Sequence, residues 1–181
     1  MHALKEWATI VSALESGDQT VLLRKGGILE VSSGFVVESK KFLLFPTYEH
    51  QSSDNIKPQF QKHLDSVMKA RPQANQNRIT SYAEAVSEAD ITDQKKIQQL
   101  SEFHVWSDSY IQTRLNWMPQ KAIKAVFLKV YKIPEFEIAS KPEFQGCKSW
   151  IDINAKPDSA QAVLSDSELR LRLEKFEEII S

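Results

Sequence analysis

Arg24 and Lys25 stand directly before Gly26 and Gly27 in the stretch LLRKGGILE. Cations beside bare backbone can hold a phosphate or a carboxylate, through charge and through main-chain N–H groups. The spacing is neither that of a P-loop nor that of a dinucleotide fingerprint, and a hairpin turn with two solvated cations accounts for the same residues. His50 and Gln51 pose a similar choice. They follow the apolar run FLLF and Pro46 in FLLFPTYEHQ, where the proline is expected to break a buried strand. Polar side chains just past a rigid strand are well placed to meet a ligand; they can equally satisfy loop backbone groups.

His104, Trp106, Asp108 and Arg114 lie in HVWSDSYIQTRLNW. Positions 106, 110, 113, 114 and 117 share one broad side at helical spacing. An arginine beside Trp106, Tyr110 and Trp117 can stack on a planar ligand or grip an anion, or can lay its stem along a core stripe. In GCKSW, Cys147 could act as a thiolate activated by Lys148 or a distant histidine. A lone cysteine is more often a small buried side chain, and Cys147 is expected to be buried and unreactive. Glu38 and Lys40, two apart, would share a face of a strand. Metal-dependent nucleases use such an acid-x-Lys pair with a further upstream acid, for which Glu30 is the nearby choice. A solvated edge protected by Lys40 and Lys41 is the plainer account. His50, His104 and Cys147 suit Zn²⁺ chemically, but they lie in three distant segments, and no metal ligand set is assigned.

The elements that must position these groups can be read from periodicity. Leu4, Trp7, Ala8, Val11 and Leu14 predict a first helix that Gly17 ends. Residues 20–24, 28–31, FVVES and KKFLLF predict an antiparallel meander. Pro58 opens a helix carrying Phe60, Leu64 and Val67; residues 72–78 read as a loop, and 79–91 leave strand and irregular structure both open. Thr92 or Asp93 caps a helix through Ile97 and Leu100, a further helix runs to Pro119, and AVFLKVYKI and CKSWIDI read as strands. Ser165 and Glu168 form a capping box, with Leu164 and Leu169 as a staple, for a tail helix striped by Leu169, Leu173, Phe176 and Ile180. The fold class is α+β: a mostly antiparallel sheet with an N-terminal meander, packed helices and a C-terminal amphipathic helix.

The chain has 181 residues, 41% hydrophobic and 26% charged, enough for a substantial core. With 23 basic and 24 acidic residues, it lacks the cationic excess of an extended nucleic-acid surface. One cysteine excludes an internal disulfide and any multi-thiolate metal site. Lys5 and Glu6 interrupt the first apolar stretch, so no signal peptide is read there; with no membrane-length apolar run, a cytoplasmic location is expected.

The strings HALKEW (2–7), LLRKGGILE (22–30), LFPTYEHQ (44–51), HVWSDSY (104–110), RLNW (114–117) and GCKSW (146–150) together resemble an uncharacterised prokaryotic family, domain of unknown function 1802. The resemblance covers residues 2 to 153 or so, implying one α+β domain over 1–153 and a helical appendage over 154–181. It implies no activity, cofactor or catalytic residue. From the side chains, the expectation is a binding module. Arg24, His50, Gln51, His104, Trp106, Arg114, Lys148 and Trp150 would converge on a pocket for a planar or anionic ligand, such as a nucleotide or base. The rivals are a hydrolase, either a Cys147–His pair or a metal-dependent nuclease using Glu30, Glu38 and Lys40, and a protein-interaction module with Trp-rich faces. Cofactor and oligomeric state stay open.

Overall fold

The structure is a computed structural model that describes residues 1–25 and 34–181. The Gly26-Gly27 turn, the 28–31 strand and Glu30 lie outside the described residues. The chain opens not with a helix but with strand β1 (His2–Trp7), and helix α1 (Ala8–Ser16) follows at once. The alternation of β1 explains the difference. Ala3 and Leu4 are both buried but belong to separate core clusters, one on each face of the sheet, as a period of two demands. Gly17 ends α1 as expected, with φ of 79°; a Cβ there would come within 2.8 Å of the Leu164 side chain.

Strand β2 (Val21–Arg24) does not pair with β1. It runs antiparallel to the long β5 (Ile123–Ala139), with Val21 opposite Phe127 and Leu22 opposite Val126. Strand β3 (Lys41–Thr47) lies parallel to β1 and antiparallel to β4 (Gln76–Ile91). Among the described residues β2 and β3 therefore do not pair as consecutive strands of a meander, and the hairpin expected over 20–31 falls partly outside them. Residues 34–39 make no strand: Phe35 is buried and stacks on Trp150, whose indole N–H donates to Val36 O at 2.9 Å. Glu38 and Lys40 consequently share no strand face, and both are exposed. Pro46 does not break its strand either. Beyond Leu43 the β4 side of β3 has no ladder partner, so the missing proline N–H costs no sheet hydrogen bond.

Two further strands complete the seven: β6 (Trp150–Asp152), antiparallel to β1, and the short β7 (Gln161–Ala162) on β5. The main order is β2-β5-β4-β3-β1-β6, and only the β1–β3 pairing is parallel. The undecided stretch 79–91 is strand, and it joins β5 in a long hairpin arm bulged near Thr80 and Val86. Helices α2 (Gln61–Lys69), α3 (Gln94–Gln99), α4 (Asp108–Asn116) and α5 (Asp166–Ile180) complete the chain. Asp93 caps α3, Ser107 caps α4, and the Ser165–Glu168 box caps α5. Phe176 of α5 is fully buried, its ring 5.4 Å from Phe127 and 6.3 Å from Phe103. The tail helix thus packs into the main core. No helix among the described residues is long and apolar enough to cross a membrane.

Candidate functional site

On β1, Glu6 lies two residues from Leu4 and so points to the same face, where it is only 5% exposed. A carboxylate there must be paired. Arg24 Nη1 donates to Glu6 Oε2 at 3.0 Å, and the Trp7 backbone N–H donates to Oε1 at 2.8 Å. Arg24 Nη2 donates to Ser149 Oγ at 2.8 Å, just before β6, and its guanidinium lies 5.0 Å from the Phe35 ring centroid. β2 and β6 are the two ends of the strand order, five steps apart, which in a flat sheet is roughly 24 Å. Arg24 reaches both because the sheet curls, and one guanidinium ties its two edges together.

Lys25 anchors the next element. It is buried, and its Nζ donates to Arg114 O and Leu115 O at 3.2 and 2.9 Å, capping the carbonyl end of α4. It is therefore no solvated turn cation. Burial, aided by the nearby Arg114 charge, lowers its pKa. So fixed, α4 sets Tyr110 between two indoles: the Trp7 ring at 5.1 Å and the Trp106 ring at 6.2 Å. Burial raises the Tyr110 hydroxyl pKa against the opposing charge of Arg114; Glu6 raises it further and Arg24 lowers it. The Arg114 guanidinium lies 4.9 Å from the Trp117 ring centroid.

Of the expected site residues, Trp106 stacks on Tyr110, Arg114 follows one turn on along α4, and Arg24 joins through the Glu6 beside Trp7. His104 joins them through its ring, 5.5 Å from that of Trp106. Among the described residues His104 Nδ1 and Trp106 Nε1 are both buried without a hydrogen-bond partner. Burial lowers the His104 pKa to about 3, with the Lys57 ammonium adding to the effect and the Trp106 main chain opposing it. Trp150 lies beneath, stacked on the Phe35 that Arg24 covers, and Lys148 is exposed beside it. Gln51 goes elsewhere: its Oε1 accepts from Thr9 N at 2.8 Å and Thr9 Oγ1 at 2.6 Å, capping α1. His50 takes a left-handed φ of 62° and is exposed. It makes no hydrogen bond or stacking contact with Arg24 or Arg114 among the described residues.

Cys147 is exposed rather than buried, carried on a loop turned by Gly146 at φ 83°. Among the described residues no hydrogen bond joins it to a histidine, and no three His, Cys, Asp or Glu side chains gather as a metal centre. Glu6, Trp7, Phe35 and Ser149 are the residues that sequence reasoning missed. The available signal was Glu6 on the Leu4 side of an alternating strand.

Each of the six strings that carry the family resemblance except LFPTYEHQ contributes a residue to this cluster, and LFPTYEHQ caps the adjoining helix. No curated protein matches the chain. Among solved structures it is similar to the crystal structure of ASCH from Zymomonas mobilis, at 13% identity and a TM-score of 0.42, covering 99% of this chain and 95% of that one. The match to a family runs well past residue 153 and takes in most of α5: over residues 3–175 the chain belongs to the family described as Domain of unknown function (DUF1802).

Proposed function

We propose that the protein is a binding module for a planar, anionic ligand such as a nucleotide or base, held where β1, β2 and α4 meet. The observation that carries this reading is the stacking of Tyr110 between Trp7 and Trp106, with Arg24 bonded to the Glu6 beside Trp7 and Arg114 one turn on along α4. The Arg114 guanidinium lies over the Trp117 ring, and among the described residues no ion pair or side-chain hydrogen bond occupies it. Arg24 spends two donors on Glu6 and Ser149 and acts chiefly as the rigid floor. Aromatic rings supply stacking that any base can use.

The test is a panel of adenine, guanine, their monophosphates and ATP, followed by thermal shift and calorimetry on wild type, Arg114→Ala and Tyr110→Ala. At least one nucleotide should bind wild type. Arg114→Ala should weaken that binding by about 1–3 kcal/mol through loss of charge-assisted hydrogen bonds, with little change in the unliganded melting temperature. A panel without a binder, or an Arg114→Ala protein that binds equally well, refutes the proposal.

A further inference from the structure

Away from this cluster, helices α1 and α2 share a second polar constellation. Ser12 Oγ lies 2.9 Å from His63 Nδ1, and His63 Nε2 lies 2.8 Å from Asp18 Oδ2. His63 is only 6% exposed, and its ring stacks against Phe60 at 6.4 Å. The protonation pattern follows from the partners. Burial disfavours the Asp18 charge, but the His63 hydrogen bond, with Ser16 and the Lys62 ammonium, holds its carboxyl below the usual carboxylate range. An ionised Asp18 can only accept, so Nε2 carries the imidazole proton and Nδ1 offers its lone pair. The Ser12 hydroxyl then donates to Nδ1. A serine inside a helix ordinarily bonds back to a carbonyl one turn earlier; this one is aimed at a base whose far side is fixed by a carboxylate.

A second, independent feature lies one turn earlier on α1. Thr9 and Ser12 are three apart and share a helix face. Gln51 Oε1 is held by Thr9 N and Oγ1, and its Nε2 is a buried donor with no partner. A free amide donor is the kind of group that stabilises a developing oxyanion.

We infer that Ser12 is an activated nucleophile, with His63 as its base and Asp18 as a positioning residue, for small uncharged carboxylic esters. Ser12 Oγ attacks the ester carbonyl carbon while its proton passes to His63 Nδ1, and the carbonyl oxygen takes up the negative charge. The C–O bond to the alcohol breaks, and the alcohol leaves with the proton from His63. Water then attacks the acyl-Ser12 carbonyl, giving its proton to His63; the C–Oγ bond breaks, Ser12 regains the proton and the acid departs. The site is separate from the proposed ligand cluster, so either reading can fail alone.

The experiment uses a fluorophosphonate probe on the full chain, read by intact mass and peptide mapping, with p-nitrophenyl acetate hydrolysis alongside. Attack at phosphorus expels fluoride and leaves one adduct on Ser12. Ser12→Ala should abolish it, and His63→Gln should slow it at least 100-fold. Because His63 is buried and its replacement can unfold the protein, Asp18→Asn at the partly exposed end serves as a second variant. It should slow labelling about tenfold or more, with an unchanged circular dichroism spectrum. Absence of a Ser12 adduct in wild type, or labelling at the wild-type rate in folded Asp18→Asn, overturns the inference and leaves these residues as a tie between two helices.

Discussion

Lowering the pH should cost this protein stability through His104 before its carboxylates contribute much. The side chain is 2% exposed and its pKa is lowered to about 3 in the folded chain, against about 6.5 unfolded. Between those values the unfolded state binds a proton that the folded state refuses, so stability rises with pH across the window. The contribution is complete above pH 6.5 and is lost as pH falls toward 3. Between pH 7.5 and 5.0 the linkage integral gives a loss of about 2 kcal/mol from this one residue. The perturbation is His104→Leu, which removes the titrating group and also a buried atom without a partner. Urea denaturation followed by tryptophan fluorescence, on both proteins at both pH values, isolates the term. The carboxyls held low, such as those of Asp18 and Glu168, subtract out because they are common to both proteins. Wild type should lose about 2 kcal/mol more than the variant over this interval. Equal losses, within about 0.5 kcal/mol, would mean that His104 is solvated or charged in the folded chain and that the reasoning is wrong.

Two stability predictions concern element ends. Gly17→Ala should destabilise by about 1–2 kcal/mol in chemical denaturation, because it puts a Cβ at left-handed φ and crowds Leu164; an unchanged midpoint would refute it. Ser165→Ala should cost about 1 kcal/mol through the lost cap of α5, again read from the midpoint, and should leave nucleotide binding intact.

Helices α2 to α5 and strand β5 were legible because each carries a local signature: a cap, a stripe or an alternation within its own residues. β1 was not, since Leu4, Trp7 and Ala8 fit a helical period as well as the end of a strand running into a helix. The partners of β2 and β3 were hidden for a different reason. Turn residues announce that the chain bends, but Val21 and Leu22 pair with Val126 and Phe127, a hundred residues away. The candidate site was half legible. Arginines and indoles in short polar motifs marked themselves, whereas Glu6 was hidden by the mistaken helix. Ser12, Asp18 and His63 gave no signal, because their hydrogen bonds exist only once α1 and α2 are side by side.

The edge-to-edge tie through Arg24 has a kinetic consequence. Elsewhere the curled sheet is held by ladders of main-chain hydrogen bonds, which open only with much of the structure. Where β2 faces β1 and β6, the described closure instead consists of two side-chain hydrogen bonds from a single guanidinium. Backbone amides along that line should exchange with solvent by small local openings, while those of β4 and β5 wait for global unfolding. A ligand spanning the line would act as a clasp, slowing exchange on β1 and β2 together although the two strands never pair.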